Sequence, residues 1–281
     1  MLTTSQKILV ARTAYRAVSL ARRLVGFGDE ALCTRGGLRW KLDLREGIDF
    51  SIFLLGGFEP GTLRLYQRLV RPGDRVLDIG ANVGSHTLPL ARLAGPKGEV
   101  HAFEPTGFAV EKLRANLALN ADLASRVVVH HCMLVGAEDD RLDASVYSSW
   151  PLRGGDAVHA QHHGRLMDTG GARARTLDSV AADYAWDRVD FVKLDVDGNE
   201  HRVLAGAGET LARFRPRLLV ELAPYVYASD PAEFDAMLDG FWQRGYRLSD
   251  VAGGAELPHS AAGVRARIPE GAGMNVLAEP A

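Results

Sequence analysis

The nine residues VLDIGANVG at 76–84 constrain this chain more than any other stretch. An apolar strand runs into Asp78, Gly80 and Gly84 flank a tight turn, and a helix begins near Ser85. Glycines let the backbone come close to a ligand, and a helix N-terminus presents unpaired N–H groups. In a parallel sheet such a turn lies at the carboxyl edge, where ligands bind at the switch point of strand order. Glu104 closes the next strand, about 20 residues further on, where a carboxylate can accept from both hydroxyls of a ribose.

Spacing discriminates between two nucleoside cofactors. A dinucleotide site wants G-x-G-x-x-G, so that a pyrophosphate can rest on the helix N-terminus. This chain has G-x-x-x-G, with Asp78 ahead of the first glycine. That acid repels a pyrophosphate but suits the ammonium and sulfonium charges of S-adenosylmethionine, which is therefore favoured over NAD.

The flanking pattern sets the fold class. Strands are expected at 75–79, 99–103, 127–131, 189–195 and 217–221, and helices at 86–94, 107–120, 200–214 and 231–244. Strands separated by helices imply parallel pairing with right-handed crossovers. Strands near 246–251 and 274–278, with no convincing helix between them, are expected to pair antiparallel at one sheet edge. Upstream, residues 38–45 alternate as a half-buried strand does, and the apolar run 47–57 reads with them as a small β-element. Helix 61–70 and a stop at Pro72–Gly73 follow. The division is thus 1–30 as an N-terminal amphipathic helix, 31–72 as the β-element and its helix, and 73–281 as the main domain. Residues 138–175 break the rhythm with five glycines and His159, His162 and His163. A loop this long is functional or disordered, and a lid is expected here.

In the first helix, Ile8, Ala11, Tyr15, Val18, Ala21 and Val25 recur at helical spacing, while Arg12, Arg16 and Arg23 share another face. The arginines interrupt the apolar core that a secretory signal needs. Packing on the main domain is the first reading, a homodimer contact the second, an anionic membrane surface the third. No apolar stretch reaches the roughly 18 residues of a spanning helix. A net charge of −2, from 33 basic and 35 acidic residues, gives no global field for nucleic acid. Cys33 and Cys132 read as free thiols of a reducing, cytoplasmic setting.

The segment VLDIGANVGSHTLPLARL, with GEVHAFEP, KLRANLALN, FVKLDVDGNEHRVLAGA and LLVEL downstream, resembles FkbM-type S-adenosylmethionine-dependent methyltransferases. Residues CTRGGLRWKLDLREGIDFSIFLLGGFEPGTL are similar to that family's N-terminal element, including a glycine-aromatic-glutamate at Gly57, Phe58 and Glu59. The resemblance spans about residues 33–278. It implies a class I methyltransferase (Rossmann-like) α/β fold: a seven-stranded, mostly parallel sheet with one antiparallel strand and helices on both faces. It implies methyl transfer, usually to oxygen, in making sugars, polyketides or other secondary metabolites. It also implies that Asp78, Gly80, Asn82 and Gly84 line the methionine part, that Glu104 takes the ribose, and that residues near Gly136 approach the adenine. One departure stands out: Asp195-Val196-Asp197-Gly198 replaces the family's Asp-Val-Glu-Gly, leaving a carboxylate one methylene shorter.

Methyl transfer is an in-line displacement in which the cofactor carries the activation, so the protein aligns the acceptor and removes its proton. Asp195, at the ligand edge of a central strand, is the first candidate base. Glu221 ends the neighbouring strand and can hold an acceptor hydroxyl. Glu59 can touch the cofactor amine or the acceptor. His86 and His201, each at a helix start, are further base candidates. A subordinate reading lets Asp195, Asp197 and Glu221 hold Mg²⁺ against two acceptor oxygens; no resident metal is assigned. The expectation is an O-methyltransferase acting on a hydroxyl of a small-molecule sugar or secondary metabolite. Its rivals are N-methylation of an amino sugar or amine, and a non-catalytic cofactor-binding interaction protein.

Overall fold

The computed structural model describes residues 4–148, 150–152 and 164–281. The chain opens with α1 (Thr4–Leu24), which seats Ile8, Tyr15 and Ser19 on the domain. Tyr15 and Ser19 both donate to Asp29 Oδ1, at 3.1 and 2.8 Å. Strands β1 (Glu30–Arg35) and β2 (Leu38–Asp43) form an antiparallel hairpin around Gly36 and Gly37. Both glycines have positive φ, as a two-residue hairpin turn demands. Alternation along β2 turns Leu38, Trp40 and Leu42 inward.

The apolar run expected as part of this β-element is instead a helix, α2 (Gly47–Leu55), ended by Gly56 in the left-handed region. A short run that is apolar on every side carries no period, so strand and helix look alike in it. Burial decides the outcome. Phe50 and Ile52 enter the core, and the fully buried Asp49 accepts from the Asp43 N–H at 2.6 Å and pairs with Lys112. Helix α3 (Pro60–Leu69) begins on a proline at N1, preset for helical φ.

The main sheet is then laid down by β3 (Arg75–Ile79), α4 (Thr87–Ala94), β4 (Glu99–Glu104), α5 (Gly107–Ala118), α6 (Ala121–Ala124) and β5 (Val127–Leu134). The described parts of 138–175 form an antiparallel pair, β6 (Ser145–Ser148) with β7 (Arg165–Asp168), and a short strand β8 (Arg173–Arg175). His159, His162 and His163 lie outside the described residues. Next come α7 (Leu177–Asp183), β9 (Phe191–Leu194), α8 (Glu200–Ala205), α9 (Gly208–Phe214), β10 (Arg217–Leu222), α10 (Pro231–Gln243), β11 (Tyr246–Asp250), α11 (Ala261–Arg265) and β12 (Met274–Pro280).

The order across the sheet is β11-β12-β10-β9-β3-β4-β5-β8, and β12 alone runs antiparallel to its neighbours. Seven of these strands make the class I methyltransferase sheet; β8 adds an eighth beside β5. The final pair is antiparallel, with β12 inserted between β10 and β11 so that β11 is the edge. Strand progression reverses between β3 and β9, so the loops after these strands diverge and open a cleft at their carboxyl ends. Helix 200–214 is broken into α8 and α9 at Gly206, whose missing Cβ lets the backbone lie against the Val135 carbonyl. Apolar clusters cover both sheet faces. One of them fuses Trp40, Leu42 and Tyr66 of the N-terminal elements with Val76, Ala102 and Phe191 of the sheet. Among the described residues, no helix is long and apolar enough to cross a membrane.

Two asparagines bind the N-terminal hairpin to the sheet domain. Asn116 accepts from the Lys41 N–H at 2.9 Å and donates to the Val83 carbonyl at 3.0 Å, inside the glycine turn. Asn120 accepts from the Arg39 N–H at 3.0 Å and donates to the Arg39 carbonyl at 2.7 Å. Replacing Asn116 by alanine leaves two backbone groups without partners, each costing about 1–3 kcal/mol. Denaturant unfolding of Asn116→Ala should therefore show a loss of about 2–4 kcal/mol.

Candidate active site

The glycine turn is shaped by what it approaches. Gly80 has φ +84, and a Cβ there would run into the carbonyl of Asp195. The loops after β3 and β9 thus meet backbone to backbone at this glycine. Gly84, with φ +90, serves packing instead, since its Cβ would lie 2.6 and 2.7 Å from Leu113 and Leu88. Asn82, also at positive φ, accepts from the Val83 N–H at 2.8 Å and donates to Ser148 Oγ at 3.1 Å. That second bond ties the turn to β6.

Glu104 is 3% exposed and held on three sides. Its Oε2 accepts from the Asn82 N–H at 3.0 Å, and Oε1 accepts from the Thr106 N–H at 2.9 Å and Thr106 Oγ1 at 2.6 Å. Three of the roughly four lone-pair positions of a carboxylate are therefore taken. One remains on Oε2, which suits one ribose hydroxyl rather than the expected two. Burial pushes this carboxyl up, against the pull of its donors.

Lys193 stands at the centre of the acidic floor. It is 4% exposed, donates to the Gly80 carbonyl at 3.0 Å, and lies 3.1 Å from Asp195 Oδ2 and 3.8 Å from Asp78 Oδ1. Burial works against its charge, but Asp195 and Asp78 together hold the ammonium above its ordinary range. Burial likewise opposes ionisation of Asp195, yet Lys193 keeps that carboxyl below the usual carboxylate range. Its neighbour Glu221 goes the other way: burial and the Asp195 charge push it well up. The two carboxyl groups are hydrogen-bonded to each other and are pushed in opposite directions. Asp195, Asp197 and Glu221 bring carboxylate oxygens within 4.8 Å of one another.

His86 caps α4 beneath this floor, 3% exposed. Burial, and then Lys193, push it down to about 3, so the ring is neutral at pH 7. Its Nδ1 lies 3.0 Å from the Tyr66 hydroxyl, and its Nε2 has no partner among the described residues. Burial holds the Tyr66 phenol protonated. The Tyr66 hydroxyl and Nδ1 satisfy each other by this contact. Nε2 is left as an unpartnered ring nitrogen in the cavity wall.

A cavity of about 1030 Å³, counting its open mouth, joins these groups. Glu59, Gly80, Asn82, His86, Glu104, Asp195 and Glu221 line it. Phe58 and Trp150, with ring centroids 5.7 Å apart, form an aromatic wall, and Phe103, Met133 and Leu134 an apolar one. Glu59 accepts from Thr62 at 2.9 Å and Asn275 at 3.1 Å, with its backbone held at φ 47. Four expected residues are not brought into the lining. Asp78 is fully buried under the turn, accepting from Thr87 Oγ1 at 2.6 Å. Gly84 packs against leucines. Gly136 sits behind, its N–H donated to Asp140 at 3.1 Å. His201 faces away, 3.5 Å from Glu233. Sequence reading missed Lys193, Tyr66, Phe58 and Trp150 as site residues; a lysine between the acids of DVDG and an apolar strand was the available signal. Both cysteines are free thiols, and Cys132 lines the apolar side.

Sheet order, switch-point cleft and glycine turn define a class I methyltransferase fold. The chain belongs to the methyltransferase FkbM domain family, whose model matches residues 78–248. It is 32% identical over 162 residues to 31-O-demethyl-FK506 methyltransferase FkbM of Streptomyces tacrolimicus, covering 49% of this chain and 60% of the relative. It is 25% identical over 194 residues to 2-O-methyltransferase NoeI of Sinorhizobium fredii, covering 61% and 77%. A solved methyltransferase FkbM from Methylobacillus flagellatus superposes with TM-score 0.44 at 18% identity, over 77% of this chain and 50% of that one. The chain thus spans three fifths of the first relative's length.

The depressed His86 carries a measurable signature. Unfolded histidine titrates near 6.5, whereas the buried ring stays neutral to about 3. Below pH 6.5 the unfolded chain takes up a proton there and the native chain does not, so acid favours unfolding. In His86→Gln this linkage is gone. The stability of the wild type relative to His86→Gln should fall by about 1.4 kcal/mol per pH unit below 6. Unfolding curves for both proteins at pH 7.5, 6 and 5 check this; a constant difference would show a charged His86.

Proposed function

We propose that this chain transfers a methyl group from S-adenosylmethionine to a hydroxyl oxygen of a small molecule, a sugar or secondary metabolite. The observation that carries the reading is Asp195, held ionised by a buried lysine against the glycine turn and facing the cavity. Oxygen as the acceptor atom is supported by the relatives' names, 31-O-demethyl-FK506 methyltransferase and 2-O-methyltransferase. An acid-lined cavity disfavours polyanions, which supports a small molecule over nucleic acid.

The residues fit the cofactor. Glu104 keeps one acceptor position for a ribose hydroxyl, and Met133 and Leu134 offer apolar surface to a base. The acidic floor suits a cationic centre, and the unpartnered Nε2 of His86 is a polar atom left for a ligand. When bound, S-adenosylmethionine supplies a methyl group activated on sulfonium. The protein's share is to orient and to move a proton. Asp195 accepts a hydrogen bond from the substrate hydroxyl, and Glu221, hydrogen-bonded to Asp195, holds that carboxyl in place at the cavity wall. Lys193 makes Asp195 a weak base, so the proton leaves only as the oxygen becomes acidic during substitution. His86 as base fits poorly, because burial and Lys193 push it down to about 3 and so disfavour its taking up a proton. Lys193 also supplies the cation that a metal would otherwise bring to Asp195, and we assign no metal.

Two variants test the assignment. Glu104→Ala loses a charged hydrogen-bonding partner, so calorimetry should show S-adenosylhomocysteine binding weakened about ten- to a hundredfold. Asp195→Asn keeps the side-chain shape, so cofactor affinity should hold while turnover drops by about 10²–10⁴. Product release would be followed as S-adenosylhomocysteine with a panel of hydroxylated sugars and polyketides. Near-normal turnover of folded Asp195→Asn on an amine would favour N-methylation. Loss of turnover with chelator and rescue by Mg²⁺ would make the carboxylates metal ligands. Tight NAD binding by the wild type would sink the methyltransferase reading.

A further inference from the structure

Helix α1 is apolar on two faces. One carries Ile8, Tyr15 and Ser19 and is seated on the domain. The other carries Leu9, Leu20 and Leu24, which are 66, 62 and 79% exposed. Their spacing of eleven and then four residues keeps them in one line along the helix. Val10 beside Leu9, and Val25 and Phe27 just past the helix end, are exposed as well. The guanidinium of Arg22 lies 5.4 Å from the Phe27 ring and 5.3 Å from the Phe53 ring of α2. It thereby joins the end of the helix to α2, where Leu54 and Leu55 are also exposed.

Charge runs beside this apolar line. Arg12, Arg16 and Arg23 recur at spacings of four and seven, a helical strip between the seated face and the leucines. The helix contains no aspartate or glutamate. The nearby Asp29 is taken up beneath it by Tyr15 and Ser19 and paired with Arg23 at 3.4 Å. In a chain of net charge −2, this is a local basic excess.

We propose that the outward face of α1 lies in the headgroup layer of a membrane containing anionic lipids and holds the protein there peripherally. Leucines flanked by arginines match a helix lying in the interface plane, with apolar side chains in the acyl boundary and cationic heads snorkelling to phosphates. A second copy of the chain is a poorer occupant. A two-fold contact sets the same face against itself, which brings this arginine strip near its equivalent with no acid on the helix to answer it. Anionic headgroups supply that answer. The inference does not depend on the methyl-transfer reading.

Vesicle co-sedimentation of the full chain tests it. Binding is expected to vesicles of phosphatidylcholine with phosphatidylglycerol, weakening with added salt, and not to phosphatidylcholine alone. Each arginine near an anionic surface contributes about fivefold, so the triple variant Arg12→Gln, Arg16→Gln, Arg23→Gln should bind about a hundredfold more weakly. Leu9→Gln with Leu20→Gln and Leu24→Gln should also lose binding, and Leu20→Gln alone serves if that triple variant fails to fold. Wild-type protein remaining in the supernatant with anionic vesicles would overturn the proposal. So would unchanged binding of folded variants, or a wild-type dimer that the leucine variant converts to monomer in analytical ultracentrifugation.

Discussion

A single buried ammonium organises the catalytic edge of this protein. Lys193 has three neighbours: the carbonyl of the first turn glycine, the carboxylate beneath that turn and the carboxylate at the end of its own strand. An isolated charge in such a place costs several kcal/mol of desolvation, and only well-placed partners offset it. Gly80 and Asp78 are therefore fixed relative to Asp195 by the same cation. The positive φ at Gly80 and the absent Cβ let the two loops close to the distance that Lys193 requires. Remove the cation and the buried Asp78 and the half-buried Asp195 lose the group that keeps them in register.

The N-terminal elements complete what the sheet begins. Phe58 and Glu59 enter the cavity from the link between α2 and α3, and Tyr66 of α3 reaches His86 under the turn. Asn116 and Asn120 join the hairpin to α5 through backbone groups, so the hairpin sits at a fixed height above the turn. Their shared apolar cluster with the sheet makes this a continuous core. A cavity wall built from the first seventy residues is thus as firmly placed as one built from the sheet.

Much of this was legible in the chain because it is local. The glycine turn, the alternation of strands with helices and the acid closing β4 are written in consecutive residues, and the structure places them as read. Positions set by tertiary contact were not legible. The run 47–57 carries no clear period, and the burial of Phe50 and Ile52 and the pairing of Asp49 with Lys112, distant in sequence, favour the helix. Gly206 looks like an ordinary helical glycine until the Val135 carbonyl is seen against it. Asp78 reads as a cofactor ligand, but it lies buried under the turn, where it accepts from Thr87 and faces Lys193. Lys193 escaped notice because its only sign was a lysine in an apolar strand beside DVDG, and its second partner Asp78 is far away in sequence, on another strand.

Asp195 and Glu221 show how one site can hold two carboxyl groups in different states. They share a wall of the same cavity, yet only Asp195 has the ammonium beside it. The ionised group then suppresses ionisation of the other, as like charges at close range do. Chemistry that needs an acceptor oxygen relieved of its proton is served by that asymmetry, with Asp195 as the accepting group and Glu221 hydrogen-bonded to it. The strongly held charge on Asp195 makes it a poor base for a resting alcohol, which has the useful consequence that no alkoxide accumulates. Proton loss is confined to the moment of substitution, when the oxygen has acquired positive character. A site built this way selects for reactions in which the electrophile arrives already activated, and methyl transfer from a sulfonium is one of them.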